Sequence, residues 1–136
     1  MARVNQGNAA RVTFTLLQGQ DVLGTGSKPV NVVQIWFNAA SAVSGALVVQ
    51  AASASLQTPT TVTDKIVVFE FMPDMCLDLV NGFHTIAVET SASNAANITA
   101  AKLFVLGAHQ DASAPSSYHH IQIHRGTAGV FRHRDV

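Results

Sequence analysis

Apolar and polar residues alternate over several short stretches of this chain, and residues that favour turns separate those stretches. The alternation predicts strands at residues 11–16, 30–37, 45–50, 65–72, 83–90 and 98–108. The clearest unit is residues 69–88, in which Pro73 ends one strand and Asn81 and Gly82 supply a corner before the next. The pattern contains no long amphipathic helix, so it indicates an all-β fold, either a sandwich or a barrel.

The regions outside these strands divide the chain into three parts. Residues 1–10 are small and polar without periodicity, which predicts a flexible N-terminal arm. Residues 11–109 form the sandwich domain, and residues 110–136 form a C-terminal extension that begins with a Ser/Ala/Pro linker. Residues 118–125 have the pattern of a short strand. This strand either completes the domain as a last hairpin or pairs with a neighbouring subunit as an arm, and the linker favours the arm.

Several local environments also follow from the pattern. Residues 51–63 are rich in Ser, Thr and Ala and are expected to form a loop, whereas residues 74–80 are expected to form one helical turn. Both faces of the strand at residues 65–72 are mostly apolar, which predicts that both faces are covered. Three side chains are expected to be buried or partly buried. Trp36 is expected in the core, His84 on the same face of its strand as Ile86 and Val88, and Cys76 as an inert buried thiol.

The surface is expected to carry little charge. Charged residues make up 12% of the chain, against a usual share of about 25%. Such a composition suits a protein whose surface is largely covered by neighbours, and a free neutral domain is the simpler alternative. Cys76 is the single cysteine, so no disulfide framework or cysteine-based zinc site is expected.

The charge is also unevenly distributed along the chain. Residues 12–109 contain three lysines and six acidic residues, a net charge of minus three, whereas every arginine lies in residues 1–11 or 110–136. An acidic body with basic ends favours association between copies. The basic groups are too few and too dispersed to indicate nucleic-acid binding. A signal peptide and an apolar run of about 18 residues are both lacking, so no membrane partner is expected.

Candidate reactive groups do not assemble into a known catalytic or metal-binding pattern. His120 and His124 share a face of the predicted strand but lie roughly 13 Å apart at the usual rise per residue, so they cannot chelate one zinc ion alone. A metal site would need His109, His133 or another subunit. Asp74 and Asp78 are spaced as a carboxylate pair, but no aromatic sugar platform accompanies them. No nucleophile elbow is found, so we expect no enzyme, metal or cofactor.

Residues 22–106 resemble the small jelly-roll decoration proteins, also called cement proteins, of tailed-phage capsids. The segments that carry the resemblance are Gly24-Thr25-Gly26, Val33-Gln34-Ile35-Trp36-Phe37, Gly45-Ala46-Leu47-Val48-Val49, Phe69-Glu70-Phe71-Met72-Pro73, Asn81-Gly82-Phe83 and Leu103-Phe104-Val105. The resemblance implies an antiparallel, jelly-roll-like β-sandwich. It also implies the major capsid protein as a partner and a homo-oligomer, with a trimer favoured over a dimer. The His- and Arg-rich tail departs from the family pattern.

The resemblance implies a virion structural protein that is made in the host cytoplasm and binds the outer surface of the head shell, and the low charge and the basic ends of the chain suit such a role. There it would stabilise contacts between capsid subunits. Two alternatives stay open: a carbohydrate- or receptor-binding sandwich of a phage fibre or tail, and a self-assembling shell or tube subunit. Partner contacts are expected from residues of the two ends, namely Arg3, Arg11, Tyr118, His120, His124, Arg125, Arg132 and Arg134.

Overall fold

The computed structural model describes residues 1–91 and 93–104 in full, together with the backbone of residues 121–124 and 130–131. Strands dominate this part of the chain. The strands are Ala2–Gln6 (β1), Thr13–Gly19 (β2), Lys28–Pro29 (β3), Val33–Asn38 (β4), Val48–Ser53 (β5), Ser55–Gln57 (β6), Asp64–Glu70 (β7), Thr85–Thr90 (β8), Asn97–Ala101 (β9), Ile121–His124 (β10) and Val130–Phe131 (β11). The helical segments are one α-helical turn, Pro73–Cys76 (α1), and one 3-10 turn, Leu79–Asn81.

Two sheets pack against each other, which confirms the all-β sandwich. Sheet A has the strand order β5-β4-β7-β1-β9, and all its described pairings are antiparallel. Sheet B has the order β11-β10-β8-β2-β3, and β6 also pairs with β2. The chain passes from β5 in sheet A to β6 in sheet B with only Ala54 between them, so one bent segment forms that side of the sandwich. The jelly-roll connectivity stays a prediction.

The first strand corrects the expectation of a flexible N-terminal arm. Residues Ala2–Gln6 lie inside sheet A, paired on one side with β7 and on the other with β9. Ala2, Val4 and Gln6 are buried, whereas Arg3 and Asn5 are exposed. The alternation is weak in the sequence because two of the three inward positions hold a small residue and an amide rather than large apolar side chains.

The core lies between the sheets and is built by alternation along their strands. In β2, for example, Phe14 and Leu16 point inward while Thr13, Thr15 and Leu17 are only half-buried. Alternation in β7 is equally strict, with Val67 and Phe69 inward. The buried apolar cluster comprises Ala2, Val4, Val12, Phe14, Leu16, Val30, Val33, Ile35, Val67, Phe69, Cys76, Leu77 and Ile86.

Two sequence predictions about the strands were wrong. Ile66 and Val68 remain half-buried on the outer face of β7, so the two faces of this strand are not equally covered. Residues 51–63 do not form one loop, because β5 extends to Ser53 and β6 follows it. Polar and small residues are tolerated in these strands since β5 lies at the edge of sheet A, where fewer positions need apolar side chains.

A buried hydrogen-bond network closes one end of the sandwich and holds β1. The hydroxyl of Thr58 accepts a hydrogen bond from the Val12 N–H at 3.0 Å and donates one to Gln6 Oε1 at 3.0 Å. Gln6 Nε2 in turn donates to the carbonyl of Pro59 at 3.0 Å. Because Thr58 and Gln6 are almost completely buried, each of these polar groups needs its partner.

Lys65 lies in the same region, on the inward face of β7. Its ammonium group donates to the carbonyl of Thr61 and to the hydroxyl of Thr63, the latter at 2.9 Å. Burial lowers the pKa of Lys65, because the charged form loses its hydration. The loop between β6 and β7 is therefore fixed to the sandwich by side chains that reach it from the core.

The C-terminal extension contributes the last two strands of sheet B. β10 pairs in parallel with β8, with Ile121 opposite Ile86, and pairs antiparallel with β11. This is the arrangement of the hairpin alternative. The linker and the remaining residues of the extension lie outside the described residues, as does most of the predicted strand beyond Ala101.

Candidate interaction surfaces

The corner between β7 and β8 is rigidly attached to the sandwich. Pro73 follows β7, as predicted, and occupies the first turn of α1, where its missing N–H and fixed φ are favourable. The single helical turn predicted at residues 74–80 is instead two short turns, Pro73–Cys76 and Leu79–Asn81. Cys76 and Leu77 are buried in the core, and the Cys76 carbonyl accepts a hydrogen bond from the Asn31 N–H at 3.0 Å. Gly82 adopts the left-handed conformation, with φ at 78°, that the Asn-Gly pair predicted. The path of the chain is thus set on both sides of the corner.

Asp78 connects several parts of this corner through hydrogen bonds of its side chain and backbone. Its carboxylate accepts hydrogen bonds from Lys28 Nζ at 2.6 Å and from Asn81 Nδ2 at 2.9 Å. Its backbone N–H donates to the buried Gln18 side chain at 2.7 Å, and its carbonyl accepts from the Phe83 N–H at 3.1 Å. The hydrogen bonds from Lys28 and Asn81 lower the pKa of Asp78. This carboxylate is therefore a structural anchor and is not placed as a general acid.

Four apolar side chains of the same corner are exposed to solvent. We call this set the corner patch: Met72, Met75, Leu79 and Val80. Val80 is 96% exposed and Met75 is 75% exposed, although neighbouring Cys76 and Leu77 are buried. Exposed apolar side chains on an anchored backbone are typical of a surface that contacts another macromolecule, because clusters of exposed apolar side chains are uncommon on a free monomer. Methionine side chains also adapt readily to the shape of a partner.

The edge of sheet A forms a second candidate surface. We call it the β5 edge: residues Val48, Val49, Ala51 and Ala52, all exposed, on a strand that pairs on one side with β4. No charged side chain occurs between Lys28 and Asp64, so the strand, its flanking loops and β4 are all neutral. Natural edge strands are usually protected by charges or prolines against pairing with another chain. The β5 edge has neither of these protections.

Trp36 lies on the outer face of sheet A, so the prediction that it packs in the core was wrong. In the sheet register it stands between Val49 of β5 and Val68 of β7. Its indole Nε1 donates a hydrogen bond to Glu70 Oε2 at 3.0 Å. Because Ile35 points inward, alternation along β4 directs Trp36 outward. The ring forms part of an apolar row that reaches the β5 edge.

Two of the eight residues predicted to contact partners are described completely, and both already have partners within the chain. Arg3 Nη2 forms an ion pair with Asp64 Oδ2 at 2.9 Å. Arg11 Nη1 donates to Gln57 Oε1 at 3.1 Å. Asp64 Oδ1 is buried without a hydrogen-bond partner, so Arg3 is the group that compensates this carboxylate. Loss of Arg3 would disturb the fold as well as any contact made by its exposed side.

The other predicted contact residues are not brought together by the described structure. His124 lies at the end of β10, where only the backbone is described. Tyr118, His120, Arg125, Arg132 and Arg134 lie outside the described residues. Their assignment to partner contacts therefore stays a prediction.

The residues of both surfaces were missed at first, although each carried a signal in the sequence. Met72, Met75 and Val80 are apolar residues inside a segment with turn signals, where polar residues are more usual. The neutral stretch between Lys28 and Asp64 is also visible without a structure. Two other expectations have clear outcomes. Cys76 is buried, as predicted, and burial raises the pKa of its thiol, whereas His84 is exposed and its predicted partial burial was wrong.

Reactive centres are not evident in the described part of the chain. Among the fully described residues, no group of three or more His, Cys, Asp or Glu side chains is placed to hold a metal ion. Within the same residues, no helix has the length and hydropathy needed to span a membrane. A scan against protein-family models, a search of curated proteins and a search of solved structures each found no match.

Proposed function

We propose that this chain is a virion structural protein, a capsid decoration or cement protein that binds the outer surface of the head shell. In this role it is made in the host cytoplasm and joins neighbouring subunits of the major capsid protein. The observation that carries the proposal is the corner patch, in which exposed apolar side chains stand on a rigid, core-anchored corner. The segments that carry the resemblance to jelly-roll decoration proteins flank this corner, at residues 69–73 and at residues 81–83.

The corner patch supports a binding role for physical reasons. Apolar side chains that leave water on association supply the main driving force of most protein interfaces. The anchored backbone around Asp78 loses little conformational freedom on binding, which lowers the cost of association. A ligand that binds only the assembled shell stabilises that state by mass action, and the effect is repeated at every equivalent site on the shell. No reactive group is needed for this function.

The proposal is tested by adding the purified protein to heads that lack it and measuring occupancy by electron cryomicroscopy. We expect the wild-type chain to bind at regular positions on the outer shell. The variant Val80→Asp should lose most of this occupancy, since it puts a charge into the apolar contact. Ile98→Asp is the matched control, because Ile98 is also β-branched and exposed but lies on β9 in sheet A. Absence of wild-type binding, or equal occupancy for Val80→Asp and wild type, would refute the proposal.

The C-terminal arginines provide a separate test of the same function. Arg132 and Arg134 are candidates for contacts with acidic shell surfaces on the basis of the charge distribution along the chain. Their joint replacement by Gln is expected to weaken attachment, most strongly at low ionic strength. Unchanged occupancy would remove the tail from the interface and leave the corner patch as the contact.

The outward position of Trp36 favours one second candidate, a carbohydrate- or receptor-binding module of a fibre or tail. An aromatic ring on a sheet face can stack on a sugar, and the polar residues Gln34 and Glu70 lie nearby on the same face. A glycan array with wild type and Trp36→Ala separates the two functions. Glycan binding that depends on Trp36, together with no attachment to heads, would favour the second candidate.

A further inference from the structure

We propose that the β5 edge is a self-association surface, at which β5 pairs antiparallel with β5 of a second copy across a two-fold axis. The two copies of sheet A then form one continuous sheet. This inference concerns the isolated protein in solution and does not depend on the proposed function. The hydrogen-bonding groups and the neutrality of the strand identify a second copy of this chain as the occupant.

The first feature is that, among the described residues, β5 pairs on one side only. The strand is six residues long and pairs with β4 on its inner side. Most of its side chains are exposed, Val48 and Val49 among them, so the strand is accessible from both faces. Gln50 Nε2 donates to the carbonyls of Val48 and Val49 at 3.2 Å each. These are long contacts from one neutral side chain, and because successive carbonyls of a strand point to opposite sides, an N–H group of an added strand can replace one of the two.

The second feature is neutrality, which a two-fold contact requires. Across a two-fold axis each side chain near the axis faces its own copy, so a charged residue would meet a like charge. The β5 edge avoids this problem because no charged residue lies between Lys28 and Asp64. Ala51 and Ala52 are also small enough to let two backbones approach closely. A second copy is therefore a surface that matches the β5 edge in both hydrogen-bonding capacity and charge.

The opposite edge of sheet A provides a comparison within the same molecule. β9 is also paired on one side, with β1, in the described residues. Its end carries the Met1 ammonium group, which donates to the Lys102 carbonyl at 2.8 Å, and the exposed side chain of Lys102. Arg3 stands beside Ala100 on the neighbouring strand. Pairing of β9 with β9 of a second copy would bring these positive charges of the two copies close together. Charge repulsion therefore disfavours self-pairing at β9, whereas no charge opposes it at β5.

The third feature is continuity of the outer face. Val49, Trp36 and Val68 form a row across β5, β4 and β7 in the sheet register. A second copy would place its own row beyond Val49 and cover the exposed part of that side chain. The apolar contact and the added backbone hydrogen bonds thus act at the same place.

Sedimentation velocity over a concentration series, together with light scattering, measures the assembly directly. We expect a mass of two chains for wild type and a reversible shift towards one chain on dilution. Val49→Lys should raise the dissociation constant by at least about tenfold, because two like charges then face each other across the axis. Ile98→Lys is the matched control, since it introduces the same charge at an exposed β-branched residue on the opposite edge of the sheet. It should leave the dissociation constant unchanged.

Cysteine cross-linking keeps the test decisive if a lysine variant is poorly folded. Cys76 is buried, so cysteines introduced one at a time at Val49, Gln50, Ala51 and Ala52 report the contact. Under mild oxidation at least one of them should give a disulfide-linked dimer, whereas Ala100→Cys on β9 should not. A monomer at all concentrations, a trimer, or a dimer that persists in Val49→Lys would overturn the proposal. A dimeric protein that does not attach to heads would instead refute the proposed function alone.

Discussion

Replacement of Thr58 by Val tests whether the buried hydrogen-bond network holds β1 in sheet A. The substitution keeps the shape of the side chain and therefore creates no cavity, but it removes the hydroxyl. The Val12 N–H and the Gln6 Oε1 atom, each 3.0 Å from that hydroxyl, then lose this partner. Thr58 and Val12 are completely buried and Gln6 is nearly so, which makes compensation by solvent ineffective.

The expected loss follows from the two groups that are left unpaired. At about 1.5 kcal/mol for each, the free energy of unfolding should fall by about 3 kcal/mol. With an m-value of about 2 kcal/mol/M, the urea midpoint should fall by about 1.5 M. Thr60→Val is the control, because Thr60 is exposed in the same loop and should change stability by less than about 0.5 kcal/mol. A loss below about 0.5 kcal/mol for Thr58→Val, with the same m-value, would refute the reasoning.

Three further predictions concern the corner between β7 and β8. Gly82→Ala should lower the free energy of unfolding by about 1 kcal/mol in a urea titration, because Ala is strained at positive φ. Gly45→Ala is the control, since the space around Gly45 is open, and it should not destabilise the protein. Hydrogen bonding lowers the folded-state pKa of Asp78. The contribution of Asp78 to stability is therefore complete above the unfolded-state pKa of about 3.9 and is lost as pH falls through the folded-state pKa. Lys28→Met should flatten this acid dependence of stability in a circular-dichroism titration, and an unchanged dependence would contradict the role given to the Lys28–Asp78 pair. Because Cys76 is buried and its thiol pKa is raised by that burial, a thiol reagent should modify it no faster than the protein opens or unfolds. Rapid labelling of the native protein would contradict this prediction.

The parts of the fold that were predictable carry strong local signals. Pro73 and the Asn81-Gly82 pair impose their backbone geometry whatever surrounds them, so the corner could be placed from the sequence. The short strand β6 could not be placed, because Ser and Gln in it have low strand preference and its pairing with β2 is decided by tertiary contacts. β1 was missed for the same reason, since its inward Gln6 is satisfied by a residue distant in the chain.

The candidate surfaces were harder to predict than the strands. The charge distribution along the chain predicted partner contacts at Arg3 and Arg11. In the structure, Arg3 pairs with Asp64 and Arg11 with Gln57 of the same chain. Apolar residues such as Met75 and Val80 look like core residues in a sequence, and only the position of the sheets determines that they face solvent. Exposure depends on which elements meet in three dimensions, and a local pattern cannot supply that information.

The position of β1 has a consequence for how the protein is made. Ala2 lies opposite both Val67 and Ala101, so β1 finds both of its neighbouring strands only after the chain has been synthesised as far as Ala101. Folding dominated by such distant pairings is slow, on the order of milliseconds to seconds. Until β1 is paired, Arg3 and Asn5 lower its tendency to aggregate, because a strand with polar residues at alternate positions is a poor template for the aggregation of nascent chains.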